Sequence, residues 1–243
     1  MKNTYLFIAT LIAYLVKGIT GFGNTLVMGP LYSFAVENRI TTPIDLIFSI
    51  PTNIYMVWKE RKSISLKAVV PLSVMLMAGI LPGTFLLKFG YDWVLKSVLG
   101  IVVILMAVEM LTRKQAQVPK KPSPVFLVTC GILSGILAGM YGISALLIAY
   151  ISRTTDNRSQ FRGNICCVFL VDNFFRLFLY WFSGILNKDI FMLALILLPA
   201  VVLGMMIGVR IDKKVGERSV KNFTVALLIF SGLVLILKSI LFH

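Results

Sequence analysis

Three polar residues interrupt one long apolar stretch of the chain: Asp172, Asn173 and Arg176. Because residues four apart share a face of a helix, Asp172 and Arg176 can form an ion pair. Two roles for Arg176 stay open: it anchors an anionic substrate with its planar set of N–H donors, or it pairs with Asp172 only to fix helix packing. In the first role Asp172 orients Arg176 or carries a proton. Asn53 is the counterpart of Asn173 in the first half of the chain, so both are candidate donors to a substrate.

Lys17 is a second charged residue inside an apolar stretch, between Val16 and Gly18. A lysine at membrane depth is costly without a partner or a water-filled cavity, so it is a candidate anchor for an anion. The alternatives are that it reaches an interface or pairs with an acid such as Asp45. Asp45 is itself a candidate coupling or proton-carrying residue.

Residues for enzymatic chemistry are scarce. The single histidine is His243, so no Ser-His or Cys-His pair is expected within the membrane. The three cysteines have neither the number nor the spacing of a zinc site, and they are expected to act as small packing residues. The sequence therefore predicts no enzyme, no cofactor and no metal.

Two glycine-rich clusters are candidate helix breaks. At a break, unpaired N–H groups and the positive end of the helix dipole favour an anion. The alternative is that these glycines only allow helices to pack closely. The candidate substrate-binding residues are Gly18, Thr20, Gly21, Gly23, Asn24 and Thr25 in the first cluster, and Gly135, Gly139, Tyr141, Gly142 and Ser144 in the second.

The elements that position these residues are predicted to be membrane helices, since 58% of the residues are hydrophobic and 14% are charged. A span needs roughly 20 apolar residues. The opening segments are too long for one span and too short for two, so each is predicted to be a broken or re-entrant hairpin. The predicted elements are the hairpins 4–36 and 125–152 and the spans 40–58, 64–87, 93–111, 163–186, 190–209 and 223–242.

An internal repeat organises these elements. Gly18 is aligned with Gly135 and Asn53 with Asn173, which divides the chain into repeats 1–114 and 125–243, joined by a cytoplasmic linker 115–124. The fold class is therefore an all-α polytopic membrane protein of two repeats, each a hairpin plus three transmembrane helices. With the hairpins, the first repeat starts outside and the second inside, so the repeats are inverted.

The distribution of basic residues agrees with the hairpins. Sixteen of the 24 Lys and Arg residues then lie on one face, in the loops 59–67, 113–121, 153–162 and 210–221. The positive-inside rule places this face in the cytoplasm, and the asymmetry weakens if the opening segments are single spans. The net charge of +14 is thus explained by topology and contact with lipid head groups, without nucleic-acid binding. The expected partners are the lipid bilayer and a small anion, and a homodimer stays open.

Four short motifs carry a resemblance to a known family. They are Lys17-Gly-Ile-Thr-Gly-Phe-Gly23, the run Gly131–Gly139 with Gly142, the Leu81-Pro-Gly-Thr84 turn, and Phe161-Arg-Gly-Asn164 at the entry to the span 163–186. With them the chain resembles the TauE/SafE sulfite-exporter family of membrane proteins. The resemblance implies transport of sulfite, an organosulfonate or a related small organic anion across the inner membrane. One departure is Ser144-Ala145, where family members often carry further glycines.

The leading functional hypothesis is a secondary transporter that works by alternating access. Its substrate is expected between the two glycine-rich breaks, with Lys17 and Arg176 as cationic anchors. A small-anion channel and a non-transporting scaffold subunit are the alternatives. A membrane-embedded enzyme is disfavoured, because Ser134, Ser144 or Cys130 has no histidine to activate it.

Overall fold

The computed structural model describes residues 2–112, 124–144 and 158–211, and also residues 147–148, 151, 155, 225–226, 229 and 233. These residues are helical apart from short connections, and no strand occurs among them. Except for Pro124, the predicted linker 115–124 lies outside the described residues, as do the predicted loop 113–121 and all but four residues of the predicted span 223–242.

Eight helices and one short 3-10 turn make up the continuously described parts of the chain. They are α1 (Lys2–Thr20), α2 (Asn24–Ser33), α3 (Asn38–Glu60), the 3-10 turn Arg61–Ser63, α4 (Leu66–Phe89), α5 (Asp92–Thr112), α6 (Pro124–Tyr141), α7 (Arg158–Phe182) and α8 (Lys188–Ile211).

Four predicted spans agree closely with helices: 40–58 with α3, 64–87 with α4, 93–111 with α5 and 190–209 with α8. The helix that covers most of the predicted span 163–186 is displaced toward the N-terminus, because α7 starts at Arg158 and ends at Phe182. The helix stops there as Gly184 takes a left-handed φ of 69° and its N–H donates to the Trp181 carbonyl at 3.1 Å.

The motif Leu81-Pro-Gly-Thr84, predicted as a turn, lies instead inside α4. Pro82 removes one backbone hydrogen bond there but does not end the helix, and Pro71 is accommodated in the same way. A turn at this depth would leave several backbone groups unpaired, whereas a helix with one proline leaves only a single carbonyl to be satisfied.

Among the described residues, four helices are long and apolar enough to cross a membrane: Lys2–Thr20, Leu66–Phe89, Ser159–Phe182 and Lys188–Ile211. At about 1.5 Å per residue, the 19 residues of α1 span about 28 Å, close to the thickness of the hydrocarbon core. The ten residues of α2 span about 15 Å, which is half of that thickness.

Helices α3 and α7 carry polar residues on the inside and large apolar residues on the outside. The buried polar residues are Asn38, Thr41, Thr42, Asp45, Ser49, Thr52 and Asn53 in α3, and Arg162, Asn164, Asp172, Asn173 and Arg176 in α7. The exposed apolar residues are Ile54, Tyr55 and Trp58 in α3, and Val171, Phe174, Phe178, Trp181 and Phe182 in α7. This reversal of the soluble pattern is what a lipid-facing helix with a polar interior requires.

The chain forms two compact units, each built from separate segments. Unit 1 consists of Met1–Asp45, Phe89–Arg113 and Asn187–His243, and unit 2 of Leu46–Lys88 and Lys114–Leu186. Each unit thus combines segments from both predicted repeats. The division of the sequence into two inverted repeats itself stays a prediction.

In unit 1, glycines bring α1 into backbone contact with α8. A Cβ added to Gly204 would come within 2.5 Å of the Leu11 carbonyl oxygen, and one on Gly208 would overlap the carbonyl oxygen of Leu15. Gly18 is the corresponding glycine of α1, since its Cβ would lie 2.8 Å from the Met205 carbonyl oxygen of α8. Only residues without a Cβ permit helices to approach this closely.

Unit 2 repeats this contact between α4 and α6. A Cβ on Gly79 would overlap the carbonyl oxygen of Ile132, and one on Gly83 that of Ile136. Gly139 corresponds to Gly18, since its Cβ would lie 2.6 Å from the Ile80 carbonyl oxygen. The same spacing therefore recurs in both units, which supports a duplicated origin of the two helix pairs.

Adjacent residues of α4 allow a matched test of this contact. We expect Gly79→Val to destabilise the protein by about 1–3 kcal/mol, because the new side chain must push α4 and α6 apart. Ala78→Val adds two methyl groups at an exposed position of the same helix and should leave stability unchanged. Thermal unfolding in detergent, followed by size-exclusion chromatography, measures both. Equal midpoints for the two variants would contradict the close contact.

Candidate functional site

The first helix break lies at Gly21–Gly23, between α1 and α2. Gly21 and Gly23 both have φ of 87°, a left-handed conformation that other residues rarely adopt. The Gly21 N–H donates to the Lys17 carbonyl at 2.7 Å, which closes the last turn of α1. The Thr20 hydroxyl donates to the Val16 carbonyl at 2.9 Å and accepts the Phe22 N–H at 3.2 Å. Thr20 thus satisfies backbone groups of the break.

After this break, α2 folds back along α1. The Tyr5 hydroxyl donates to the Leu31 carbonyl at 2.7 Å, and the hydroxyls of Thr10 and Tyr32 are 2.6 Å apart. The start of α2 returns to the last turns of α1, where Asn24 Nδ2 lies 3.3 Å from the Tyr14 hydroxyl. These contacts form the helical hairpin expected at 4–36. Its re-entry on one side of the membrane stays a prediction.

The second break, after α6, shares the hydrogen-bond pattern of the first. Gly142 is left-handed with φ of 72°, and its N–H donates to the Ala138 carbonyl at 2.8 Å. The Ser144 carbonyl accepts the Ile148 N–H, as the Gly23 carbonyl accepts the Val27 N–H. These hydrogen bonds match Gly142 to Gly21 and Ser144 to Gly23, although Ser144 does not share the positive φ of Gly23. By this register Gly18 corresponds to Gly139 rather than to Gly135, with which the sequence motif had aligned it.

Asp45 of α3 fixes the first break in unit 1. Its carboxylate accepts hydrogen bonds from the Tyr14 hydroxyl at 2.9 Å and from Asn24 Nδ2 at 2.7 Å. The Thr25 hydroxyl donates to its second oxygen at 2.5 Å. All four side chains are buried. A single acid thus joins α1, the start of α2 and α3, with three donors on its two oxygens.

Lys17 is almost fully buried, with 1% of its surface exposed. Its ammonium lies 5.6 Å from the centre of the Tyr14 ring, the geometry of a cation–π contact. Since the Tyr14 hydroxyl bonds Asp45, Tyr14 contacts both the lysine and the acid. Lys17 therefore belongs to the same polar cluster as Asp45, Asn24 and Thr25.

Arg176 of α7 fixes the second break in unit 2. Its Nε donates to Asp172 Oδ1 at 3.0 Å, its Nη1 to the Ala138 carbonyl at 3.1 Å, and its Nη2 to Asn173 Oδ1 at 2.7 Å. The ion pair expected from the spacing of Asp172 and Arg176 is present, and both side chains are buried. The guanidinium also supports the carbonyl that accepts the Gly142 N–H.

Tyr180 lies one turn further along α7 and supports the next carbonyl of α6. Its buried hydroxyl donates to the Gly139 carbonyl at 2.7 Å. The last carbonyls of a helix have no partner within the helix itself. Arg176 and Tyr180 supply such partners at the end of α6.

Six buried side-chain polar atoms have no hydrogen-bond partner within the described part of the chain, and all six belong to unit 2. They are Asn53 Oδ1, Ser73 Oγ, Thr84 Oγ1, Ser134 Oγ, Ser144 Oγ and Asn173 Nδ2. Nearly all buried polar groups of folded proteins are paired with protein, water or a ligand. Unit 2 therefore holds the candidate binding groups, whereas none of the six atoms belongs to unit 1.

The structure divides the predicted site residues between the two units. In unit 1 it brings together Lys17, Asn24, Thr25 and Asp45 beside the break. In unit 2 it brings together Gly139, Asp172, Asn173 and Arg176, and it buries Asn53, Tyr141 and Ser144 in the same unit. Gly18 and Gly139 lie at helix contacts, as the packing alternative expected, and their contact with a substrate stays a prediction.

The segment Arg162-Gly163-Asn164 lies in the second turn of α7 and not at its entry. Asn164 Oδ1 accepts the Ser65 N–H at 2.7 Å, which pairs a backbone donor just before α4. Gly163 packs near Glu60 and Ile64. Gly163 and Asn164 thus join α7 to the connection between α3 and α4.

The chain matches the family model of the sulfite exporter TauE/SafE over residues 6–235. The protein belongs to the TauE/SafE family. Neither the curated proteins nor the solved structures give a match. Together with the long apolar helices, membership identifies a multi-pass membrane protein of a family of anion exporters, and transport rather than catalysis is the activity that the family implies.

Sequence reasoning missed several residues of this TauE/SafE protein. Tyr14 and Tyr180 make specific hydrogen bonds, and Ser73, Thr84 and Ser134 carry unpartnered hydroxyls. Tyr180 follows Arg176 by four residues, so helical spacing could have placed it on the same face. A serine or threonine in an apolar helix carries little signal, because its hydroxyl often bonds its own helix.

Two left-handed glycines allow a test of whether the first break matters for transport. A Cβ on Gly23 would meet only ordinary contacts, at 3.8 and 3.9 Å, and one on Gly184 would meet no atom within 4 Å. Valine at either position should therefore destabilise the protein by about 1–2 kcal/mol, mainly because valine disfavours the left-handed conformation. We expect Gly23→Val to impair anion flux per folded molecule in proteoliposomes, and Gly184→Val to lower stability alone. Equal flux from both variants would show that the break tolerates the change.

Proposed function

We propose that this TauE/SafE protein is a secondary transporter that moves a small anion, such as sulfite or an organosulfonate, across the inner membrane by alternating access. The substrate is bound at the end of α6, by Arg176 and Asn173 of α7. Asp172 orients Arg176 and acts as the coupling residue. The family supports the substrate class, and the buried polar groups of unit 2 support the place.

The proposed position of the substrate site in unit 2 is based on one observation. Every unpartnered buried polar atom described in this chain lies in unit 2. Asn173 links this set to Arg176, because its Oδ1 accepts from the guanidinium while its Nδ2 has no partner in the described chain. Hydroxyl and amide groups beside a guanidinium are suitable donors to the oxygens of a sulfite or sulfonate group. The hydroxyls of Ser144 and of the other unpartnered serine and threonine residues would extend the donor set, whereas the unpartnered atom of Asn53 is an oxygen that only accepts hydrogen bonds.

The first break contributes differently in this proposal. Asp45 already holds Tyr14, Asn24 and Thr25, so these side chains keep the hairpin in shape. Lys17 adds a positive charge that attracts anions, even though its ammonium is buried against Tyr14. Binding of one substrate by both breaks stays a prediction from the repeated sequence, as does proton carriage by Asp45.

A small-anion channel is the second candidate function. The buried ion pair of Asp172 and Arg176 favours a carrier, because an anion must compete with Asp172 for the same guanidinium. Carrier flux saturates with substrate concentration, whereas channel flux rises without such a limit. A scaffold subunit would bind no anion when purified alone.

The orientation in the inner membrane is part of the proposal, with the basic loops cytoplasmic. We expect single cysteines at Tyr91 and Asn187 to react with a membrane-impermeant thiol reagent from the same, outer face. If the second opening segment were one span, Asn187 would lie on the opposite face from Tyr91. The native cysteines are first replaced by alanine. A cysteine at Lys62, which is exposed on the 3-10 turn, provides the cytoplasmic reference.

The role of Arg176 is tested by a substitution that keeps its charge. Arg176→Lys loses the planar donor set, so we expect the KM for sulfite or methanesulfonate uptake into proteoliposomes to rise about tenfold or more, with the protein still folded. Tyr180→Phe is the control, because it removes a hydrogen bond to the same end of α6 but no proposed substrate contact. It should lower stability by about 1 kcal/mol and leave KM unchanged.

A double variant separates substrate binding from structural pairing. Arg176→Gln alone leaves Asp172 as an unbalanced buried charge, at a cost of about 3–5 kcal/mol. Adding Asp172→Asn removes that charge and should restore stability without restoring transport. A double variant with near-normal transport and KM would remove Arg176 from the substrate site. Failure of wild-type protein to move any sulfite, sulfonate or small carboxylate would overturn the proposed substrate class.

A further inference from the structure

The two buried charges beside the second break of unit 2 balance each other before any substrate binds. Among its described residues, the buried charged side chains are Arg162, Asp172 and Arg176. Asp172 and Arg176 form a direct ion pair, and their side chains are 2% and 4% exposed. This pair contributes no net charge where the anion is proposed to bind, although a guanidinium is present.

Arg176 already uses each of its three nitrogens in a hydrogen bond to α6 or α7. An anion that binds the guanidinium must therefore share it with Asp172 or replace Asp172. Two negative charges would then face one positive charge in a site closed to water. Uncompensated charge in such a place is strongly unfavourable, and a carboxylate relieves it by taking up a proton.

We propose that each monoanion bound at Arg176 is accompanied by one proton, which bonds to a carboxylate oxygen of Asp172. The proton comes from water on the side from which the anion enters, and it leaves with the anion on the other side. The loaded site then holds the guanidinium, a neutral carboxylic acid and the monoanion, so its net charge equals that of the empty site. This inference rests on the proposed function.

The same balance selects the charge state of the substrate. A dianion would need two protons to reach neutrality, and Asp172 accepts only one. The site is therefore suited to bisulfite or an alkylsulfonate rather than to the sulfite dianion. Transport of a monoanion with one proton moves no net charge, so the membrane potential should not drive it.

The other groups around Asp172 are poor carriers for this proton. On α7 its neighbours are Arg176 and Asn173, and Arg162 lies about 15 Å away along the helix axis. The end of α6 presents the carbonyls of Ala138 and Gly139, bonded to Arg176 and to the hydroxyl of Tyr180, and also contains buried Tyr141. The charged residues of α4, Lys67 and Lys88, lie exposed at its two ends, and Lys59 and Glu60 lie at the end of α3.

Proteoliposomes with full-length protein test the coupling directly. Methanesulfonate is the probe, because it is a monoanion throughout the working pH range and carries no proton itself. Radiolabel measures its uptake, and an entrapped pH-sensitive dye measures the protons that enter with it. We expect one proton for each anion, and the same flux with and without a potassium diffusion potential set by valinomycin.

Replacing the carboxylate should separate exchange from net transport. Asp172→Asn cannot bind the proton, so net uptake should fall by about tenfold or more, whereas exchange of external for internal methanesulfonate should continue. The anion balances Arg176 in this variant, so methanesulfonate is kept present during purification. Asp172→Glu retains a carboxylate and should keep one proton per anion. Glu37→Gln, at an exposed position, is the control and should behave like wild type.

Two results would overturn the inference: wild-type uptake without protons, or uptake that follows the imposed potential. Proton entry that persists in Asp172→Asn at one per anion would equally exclude Asp172 as the carrier. If Asp172→Asn does not fold, the inference is still tested by two measurements on the wild-type protein: the number of protons that enter with each anion, and the response of the flux to the imposed potential. A preparation that moves neither methanesulfonate nor bisulfite would instead contradict the proposed function itself.

Discussion

Hydrocarbon offers no hydrogen-bond partners, so every backbone group freed by a break in a membrane helix must find its partner within the protein. Both breaks of this chain meet this constraint first through a left-handed glycine. Gly21 and Gly142 return their N–H groups to the turn before them, at 2.7 and 2.8 Å. At the first break Thr20 of α1 itself bonds two further backbone groups, whereas at the second break Arg176 of α7 donates to a backbone carbonyl of α6.

Asp45 and Arg176, the buried charged groups that fix the two breaks, have opposite signs. In unit 1 an acid, Asp45, collects three side-chain donors around the first break, so the polar cluster there is closed. In unit 2 a guanidinium, Arg176, donates to a carbonyl of α6 and to two side chains. Hydroxyl and amide groups of that unit are left without partners in the described chain. A shared hydrogen-bond pattern at the breaks is thus accompanied by a closed polar cluster in one unit and by a candidate binding site in the other.

Glycine contacts explain why each unit needs both halves of the sequence. Helix α1 packs through Gly18, Gly204 and Gly208 against α8, and α6 packs through Gly79, Gly83 and Gly139 against α4. Each hairpin helix therefore rests on a long apolar helix from the other half. In lipid, such close approach replaces the hydrophobic effect as a source of association. The position of each break consequently depends on a helix that is distant from it in the sequence.

The sequence alone was sufficient for the all-helical class, the approximate places of the spans, the glycine breaks and the Asp172–Arg176 pair. These follow from hydropathy and from spacing along one helix, which are local properties. Only the tertiary structure decided that Asp45 holds Tyr14, Asn24 and Thr25, that Gly18 corresponds to Gly139, and that α7 begins at Arg158. It also decided which hydroxyls remain without partners, because a serine or threonine in an apolar helix bonds its own helix, another helix or a ligand according to the packing around it. Contacts between residues far apart in sequence depend on which helices meet, and no local pattern contains that information.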